Sequence, residues 1–337
     1  MLRTGRWAGE KVGLGLVCAV LAAAAWGQTC QTSEDLEATV RARVESAAGK
    51  YFDLAGKSDV AGLKASAIPS VAEAFSGIAA AVQENQASFS QAQSAVRATY
   101  LLTAEGDAPL ERAEFLCGVF GKSGQTATSS VFVLNGLPPG RYAVVILNVT
   151  GKGQDERYAV AFVLQEMAGD WKLGGFFVKP VLSAGHDSSW FAERARGFAA
   201  KGQARNAWFY FLQARNLATL VPFMSTRETD RLYDEAQTVG SADAPEGFPA
   251  SLDASGQAYK IKSAFAYGVA GEVNLVVKYE YLDVSDTVKV FAENQAVAKA
   301  LVMKWPELRD GFGAIVARAT EASGKDFGTL VQLKDVK

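Results

Sequence analysis

The sequence predicts a mixed α+β protein, and three observations carry that prediction. Apolar residues recur at helical spacing between residues 36 and 82. Five segments between residues 112 and 179 have the composition of strands and are separated by short connections rich in turn formers. Residues 259–333 then show a strand hairpin, a helix and a second hairpin. Helices and runs of strands in separate blocks are typical of α+β domains.

Length and composition place the chain among folded proteins of more than one domain. It has 337 residues, of which 49% are hydrophobic and 21% are charged. Chains that remain disordered have lower hydrophobicity and higher net charge. A single hydrophobic core seldom serves so many residues, so two or three structural units are expected.

The N-terminus has the three parts of a secretory signal peptide. Basic residues at Arg3, Arg6 and Lys11 precede an apolar run over 12–25, and small residues follow it. We expect cleavage before Gln28, so that residues 1–27 are removed and the protein is exported to the periplasm or the extracellular space. The apolar run is too short for a confident membrane span, and the processed chain is not expected to be an integral membrane protein.

Net charge argues against nucleic acid as a partner. The predicted signal peptide carries three basic residues and one acidic residue, so its removal changes the formal net charge from −2 to −4. The mature sequence has no cluster of Lys and Arg that would neutralise a phosphate backbone.

Two cysteines remain after removal of the signal peptide, which contains Cys18. In an oxidising export compartment they are expected to pair, and a Cys30–Cys117 disulfide would tie the mature N-terminus to the first sheet. Closing so long a loop contributes about 4 kcal/mol in the chain-entropy model. The alternative is that Cys117 is a buried free thiol that packs as a small hydrophobic residue.

The first helix is predicted over 36–54 with Ser33 as its N-cap. A break at 56–59 separates it from a short second helix that stops near Pro69, and a third helix follows over 71–82. The strands are predicted at 112–120, 129–135, 141–150, 157–167 and 171–179. Their short connections favour antiparallel neighbours.

The strands 141–150 and 157–167 are apolar on both faces. A sheet of this kind must be covered on both sides. We expect the helices to cover one face, and either the later segments or a second subunit to cover the other. The helical hairpin at 188–221 is the expected cover of that second face.

Three features of residues 33–181 resemble the NTF2-like, or cystatin-like, α+β domain. They are a first helix that ends in Tyr51-Phe52, the break at 56–59 with Leu63 after it, and the last strand at 171–178. The resemblance implies a sheet curled around a helix with a cone-shaped pocket, which some members use for catalysis and many for binding or assembly. For this chain the expected lining of that pocket is Tyr142, Tyr158, Phe162, Trp171 and Phe177.

The segment 183–240 is predicted to be a helical hairpin. Asp187 or Ser188 caps a helix that begins near Trp190, and a second helix ends before Pro222. The spacing of small and aromatic residues is similar to one tetratricopeptide repeat, but stable arrays need about three repeats. A hairpin packed on its neighbour is therefore favoured over a peptide-binding array. His186, the only histidine, and Trp190 are assigned to the domain junction rather than to catalysis.

The predicted architecture has five parts. A signal peptide (1–27) precedes the NTF2-like domain (28–182), the helical hairpin (183–240), a linker (241–256) and a two-layer ββαββ domain (257–337). In the last part, hairpins around 259–281 and 313–333 flank a helix capped by Ser285 or Asp286.

No catalytic residue, metal site or cofactor is expected, because no paired catalytic groups or phosphate-binding loop accompany these elements. The favoured function is an exported, non-catalytic binding or assembly scaffold for a small apolar ligand or a protein partner. One alternative is an isomerase or hydrolase of a small apolar compound, with Tyr142 or Tyr158 as hydrogen-bond donor in the cone. Another is a homodimeric structural protein that pairs through the second face of the first sheet.

Overall fold

A computed structural model confirms a mixed α+β protein with largely antiparallel sheets. The predicted signal peptide lies outside the described residues, and so does the part of the predicted linker at 241–250. The structure describes residues 28–119, 125–126, 129–153, 156–240, 251–269 and 271–336.

The N-terminal helices are α1 (Ala38–Gly56), α2 (Val60–Ala65), α3 (Pro69–Glu73), α4 (Ser76–Glu84) and α5 (Gln86–Phe89). The prediction that Ser33 caps α1 is wrong, because the helix begins only after Glu37. The Ser33 hydroxyl instead donates to the carbonyl of Thr99 at 3.1 Å and accepts from the Thr99 amide at 2.9 Å. Ser33 therefore joins the chain before α1 to the first sheet.

Two sheets form in the first part of the chain, and all their strand pairs are antiparallel. The larger sheet has the order β1-β2-β5-β6-β7, and the smaller has the order β3-β4-β8. Their strands are β1 (Gln28–Gln31), β2 (Gln93–Ala104), β3 (Leu110–Cys117), β4 (Ser130–Leu137), β5 (Gly140–Thr150), β6 (Arg157–Met167), β7 (Asp170–Pro180) and β8 (Met224–Thr226).

Both faces of the larger sheet, which we call the first sheet, are buried. Its first face carries Val145 and Phe162, which pack with Tyr51 and Phe52 of α1. Its second face carries Val144 and Ile146 together with further small and apolar side chains of β2 and β6. Burial of both faces is the outcome that the apolar character of β5 and β6 requires.

The cover of the second face comes from within the chain, mainly from the small sheet. Phe115 on β3 and Phe132 on β4 are fully buried there, and Leu220, Val221 and Met224 complete the cluster. Of the segment 188–221, which was expected to cover this face, only the last residues, Leu220 and Val221, belong to the cluster, because the small sheet forms most of the cover. The part of the face that these residues cover is not accessible to a second subunit.

The Cys30–Cys117 disulfide is confirmed. It joins β1 to β3 across 87 residues, with 4.9 Å between the two Cα atoms. Because β1 pairs with the edge of β2 and β3 belongs to the small sheet, the bond holds the small sheet against the first sheet. The alternative of a free buried thiol at Cys117 is excluded.

The described residues of the second part of the chain form a helical hairpin, three further α-helices and a five-stranded sheet of order β13-β12-β11-β10-β9. Strand β9 falls inside the segment that the sequence predicts as linker. The elements are α6 (Ser188–Ala200), α7 (Ala204–Ala218), α8 (Arg227–Val239), β9 (Ser251–Ala254), β10 (Gln257–Val269), β11 (Glu272–Glu280), α9 (Thr287–Lys304), α10 (Leu308–Gly311), β12 (Ala314–Thr320) and β13 (Asp326–Gln332).

The helical hairpin shares one hydrophobic core with this C-terminal sheet. Phe209 and Tyr210 of α7 contact Phe312 with ring centroids 6.1 and 5.7 Å apart, and the Tyr210 hydroxyl donates to the Gly311 carbonyl. Asn206 is fully buried and donates to the Glu307 carbonyl. The hairpin thus packs mainly against its C-terminal neighbour, and it contacts the first sheet where Lys179 Nζ on β7 donates to Asn216 on α7.

Candidate functional site

The five residues predicted to line a cone do not converge on one pocket. Phe162 and Trp171 are buried on the first face, and Tyr158 packs at the edge of the same cluster. Tyr142 is buried on the second face, and Phe177 packs against that second cluster. Side chains alternate between the faces of a strand, and the register of β5 with β6 places Tyr142 opposite Gln165 and Val149 opposite Tyr158. The two tyrosines therefore point to opposite sides of the sheet.

The hydroxyl groups of both tyrosines already have protein partners. Tyr142 donates to the Pro138 carbonyl at 2.7 Å and accepts from the Gln165 amide at 3.3 Å. Burial raises the pKa of the Tyr142 hydroxyl above its ordinary value. The Tyr158 hydroxyl pairs with Ser88 Oγ at 3.1 Å. On the first face, α1 fills the space in front of Phe162, whose ring centroid lies 6.2 Å from that of Tyr51.

A cleft of about 640 Å³ lies at one end of the first sheet, beside the helical hairpin. One wall is formed by the ends of β2, β5 and β6, and the opposite wall by α6, the end of α7 and the start of α8. We call it the junction cleft. The apolar part of its lining, which we call the floor, consists of Val149, Val181, Leu182, Leu217, Ala218 and Leu220.

The sheet wall of the junction cleft carries two arginines, Arg97 and Arg157. Arg97 lies at a β-bulge, because the pairing of β2 with β5 shifts register between Val96 and Ala98. Bulges redirect a side chain out of the regular alternation. Both arginines are exposed, and neither forms a salt bridge with any residue that the structure describes. Two positive charges are therefore available on this wall.

The helical wall is acidic. Asp187 caps α6 by accepting from the Trp190 amide at 3.0 Å, and Glu228 lies in the first turn of α8. Carboxylates are favoured at helix N-termini because the backbone amides there are positive and lack intrahelical partners. The two walls thus have opposite charge, and the floor between them is apolar.

Of the predicted pocket residues, Tyr158 lines the junction cleft. Its ring packs edge-to-face on Phe89 with centroids 5.8 Å apart, which together with the Ser88 contact fixes the side chain. Four further lining residues of the cleft are not predicted as site residues from the sequence: Arg97, Asn148, Asp187 and Glu228. These residues come from separate segments, and no spacing along the chain links them.

His186 lies in the connection between β7 and α6, and Trp190 lies in the first turn of α6. Their rings stack with centroids 3.7 Å apart and an interplanar angle of 5°, and the Arg194 guanidinium lies 5.8 Å from the Trp190 ring. The turn that contains His186 also contacts the C-terminal sheet, because Ser183 Oγ accepts from the Gly268 amide at 2.9 Å. A Cβ added at Gly268 would lie 2.3 Å from the Ala184 nitrogen, so only glycine fits this contact.

Within the described ranges, no group of three or more His, Cys, Asp or Glu side chains is arranged to hold a metal ion. None of the helices in the same ranges combines the length and the apolar character that crossing a bilayer requires.

Comparisons of the chain with protein-family models, with curated proteins and with solved structures find no match.

Proposed function

We propose that this protein is an exported binding protein that holds an amphipathic ligand with an acidic group in the junction cleft. The observation that carries this proposal is the pair of unpaired arginines, Arg97 and Arg157, above an apolar floor in a cleft of about 640 Å³. Ligand pockets typically have this size, are largely apolar and contain a few polar groups that fix orientation.

The charge distribution defines the chemistry of the ligand. Guanidinium groups bind carboxylates through paired, charge-assisted hydrogen bonds. An acidic group of the ligand would therefore lie on the sheet wall, and its apolar body would lie on Val181 and Leu220. Asp187 and Glu228 on the opposite wall disfavour a second negative charge there. A ligand with one acidic end and an apolar body fits best.

The location of the cleft also supports binding. Small-molecule sites occur preferentially where structural units meet, and this cleft lies between the first sheet and the helical hairpin. Ser188 Oγ donates to the Ala214 carbonyl at 2.8 Å, which joins the start of α6 to α7 behind the cleft wall. This hydrogen bond holds the start of α6 against α7.

We also propose that the protein is exported and that it contains an NTF2-like domain and a ββαββ unit. The disulfide is compatible with an oxidising compartment, where such bonds persist. Packing of the first sheet around α1 supports an NTF2-like domain for residues 28–182. The order of β10, β11, α9, β12 and β13 supports a ββαββ unit that is extended by β9.

A fluorescence titration with 8-anilinonaphthalene-1-sulfonate tests the cleft, because this probe has an apolar body and one acidic group. The mature protein should bind it, and the double variant R97Q/R157Q should weaken binding about tenfold or more, since charge-assisted hydrogen bonds contribute roughly 1.5–3 kcal/mol each. The matched control is R112Q, which also removes an exposed arginine but on β3, outside the cleft.

Equal affinity of the double variant and the unchanged protein would remove the two arginines from ligand recognition and would contradict the proposal. Equal losses in R112Q and in the double variant would show a nonspecific charge effect, which also contradicts it. Far-ultraviolet circular dichroism of each variant establishes that the fold is retained during the titration.

A further inference from the structure

One edge of the first sheet is strand β7, and part of this edge has unpaired backbone groups. β7 is the last strand in the sheet order, and among the described strands it pairs with β6 alone. Just after β7, the Val181 amide donates to the Arg157 carbonyl at 3.0 Å, which fixes the alternation of bonded and free positions along the strand. By that alternation the amide and carbonyl groups of Phe176 and Val178 point away from β6. On that side they form no hydrogen bond with any residue that the structure describes.

Nearer its beginning, the same edge already pairs with another segment of the chain. The Leu173 amide donates to the Ser66 carbonyl at 3.0 Å, and the Leu173 carbonyl accepts from the Ile68 amide at 2.9 Å. Ala67 and Leu173 thus form a parallel bridge, which stops there because the chain enters α3. The outer edge of β7 therefore accepts strand pairing, and the described chain leaves the rest of that edge unused.

A cleft of about 540 Å³ lies along the unused part of the edge. Residues 176–179 form one wall, and Leu212, Arg215, Asn216 and Thr219 of α7 form the other. We call it the edge cleft. Its strand wall spans roughly 10 Å, which is the length of three to four residues of an added strand. Leu220 lines both this cleft and the junction cleft, so the two are neighbours, but they share no charged residue.

The edge cleft carries two positive charges, Lys179 and Arg215, and none of its described lining residues is acidic. Lys179 Nζ donates to the carbonyl and to Oδ1 of Asn216. Arg215 Nε donates to the Thr229 carbonyl at 3.2 Å. Neither cation forms a salt bridge with a described residue. Burial lowers the pKa of Lys179, because its ammonium group loses water without gaining a counter-charge. A carboxylate would supply that counter-charge.

Strand geometry defines the sequence pattern of a partner for this edge. Phe176 and Val178 pack with the cluster on the first face of the sheet, whereas Phe177 packs with the cluster on the second face. Lys179 follows Phe177 on that second side, because side chains alternate along a strand. An added strand alternates in the same way, so its apolar side chains would lie beside Val178 and its acidic ones beside Lys179.

We propose that the edge cleft binds an extended peptide of another protein, in which apolar and acidic residues alternate, as a sixth strand of the first sheet. Main-chain hydrogen bonds to Phe176 and Val178 would provide affinity, and the charges of Lys179 and Arg215 would provide specificity. This goes beyond the function proposed for the junction cleft and does not depend on it.

Fluorescence anisotropy tests the charge pattern with a labelled, end-capped hexapeptide that alternates valine and glutamate, and with a control peptide that alternates valine and lysine. We expect the mature protein to bind the first peptide with a dissociation constant of about 10–100 µM, because a flexible peptide loses conformational entropy on binding. The second peptide should bind about tenfold more weakly or less. The variant K179E/R215E should reverse this preference, which unfolding cannot do. R97Q/R157Q should leave both affinities unchanged, so failures of the two proposals are distinguishable.

Val178→Pro tests pairing through the backbone. It removes an amide that points away from β6, and edge strands tolerate proline at such positions. The variant should lose peptide binding, whereas Val178→Ala, which keeps the amide, should retain it. Peptides that are N-methylated on alternate residues test the same contact without changing the protein. Methylation of one alternate set should abolish binding and methylation of the other should not, because only one edge of the peptide faces β7.

Four results would each overturn the proposal. They are the absence of saturable binding of the valine–glutamate peptide, equal binding of the valine–lysine peptide, no reversal of preference in K179E/R215E, and equal effects of the two N-methylated sets. Circular dichroism shows whether Val178→Pro retains the fold. If it does, undiminished binding by this variant also contradicts the proposal, and if it does not, the N-methylated peptides decide.

Discussion

The two five-stranded sheets of this protein differ in how their apolar faces are buried. The first sheet is covered on one face by α1 and on the other by the small sheet, and Phe162 and Ile146 on its two faces are fully buried. The C-terminal sheet is covered on one face by α7 and α9, while Phe265 and Leu330 on its other face remain exposed. Apolar side chains are therefore buried on both faces of the first sheet, whereas some of those on the C-terminal sheet remain exposed.

The difference teaches that cover, rather than composition alone, decides how much an apolar strand residue contributes to stability. Covered residues lose contact with water when the chain folds and stabilise it by roughly 1.5–3 kcal/mol each. Residues that remain exposed to water contribute only part of this free energy to folding. In the first sheet the cover ends at the junction cleft, and there the exposed wall is polar and charged rather than apolar.

The largest expected effect comes from truncating matched aromatic residues in the two sheets. Phe162→Ala should lower the free energy of unfolding by about 3–5 kcal/mol, because it creates a cavity under α1. Phe265→Ala should lower it by less than about 1 kcal/mol, because the side chain is already partly hydrated. Urea unfolding checks both. Similar losses at the two positions would contradict the comparison.

The disulfide gives the next largest effect, and it acts on the cover of the first sheet. The double variant C30S/C117S should lower the free energy of unfolding by about 2–4 kcal/mol, because the unfolded chain gains conformational freedom and the small sheet is no longer tied to β1. Chemical denaturation measures the loss. Hydrogen exchange should rise in β3 and β4 more than in β12 and β13, and a uniform rise would argue that the bond does not act on the cover.

The sequence predicts local features of this fold better than the contacts between distant segments. Local signals predicted the elements well, since Asp187 and Asp286 cap α6 and α9 as expected. Strand β2 was missed because its first residues, beginning at Gln93, are polar and exposed. Apolar patterning predicted that both faces of β5 and β6 need cover, but it could not identify the small sheet as that cover, because strand pairing across many residues leaves no local pattern.

The candidate site was harder to predict than the fold. Tyr158 was assigned to a pocket from its strand position, and it lines the junction cleft, whereas Tyr142 lies on the other face of its sheet. Arg97 reaches the cleft wall through a bulge, and a bulge shifts the alternation on which face assignments depend. Prediction of a site assembled from several segments requires the strand register and the packing of the elements, and neither leaves a local pattern in the sequence.

The smallest expected effect concerns an ion pair between β12 and β13 of the C-terminal sheet. Arg318 contacts both carboxylate oxygens of Asp326, at 2.5 and 3.0 Å, and this hydrogen-bonded contact lowers the pKa of Asp326. A carboxyl group with a lowered pKa stabilises the fold above its unfolded pKa of about 3.9, and this contribution is lost as the pH falls through the folded value. Because the pair is partly exposed, solvent screening limits the contribution to about 0.5 kcal/mol.

The variant D326N checks this pair. Its difference from the unchanged protein in the free energy of unfolding should be present near pH 7 and should shrink as the pH falls below the unfolded pKa of about 3.9 and through the lowered folded value. A difference that persists at the acidic end would mean that Asp326 acts through packing rather than through its charge.

Native mass spectrometry of the protein recovered from the export fraction tests the central claim, binding in the junction cleft, most directly. We predict a bound small molecule that carries an acidic group on an apolar body, present with the unchanged protein and with R112Q. It should be lost from R97Q/R157Q, because both arginines line the cleft wall on which the acidic group would lie. A protein that carries no ligand, or a ligand retained equally by the double variant, would contradict the account.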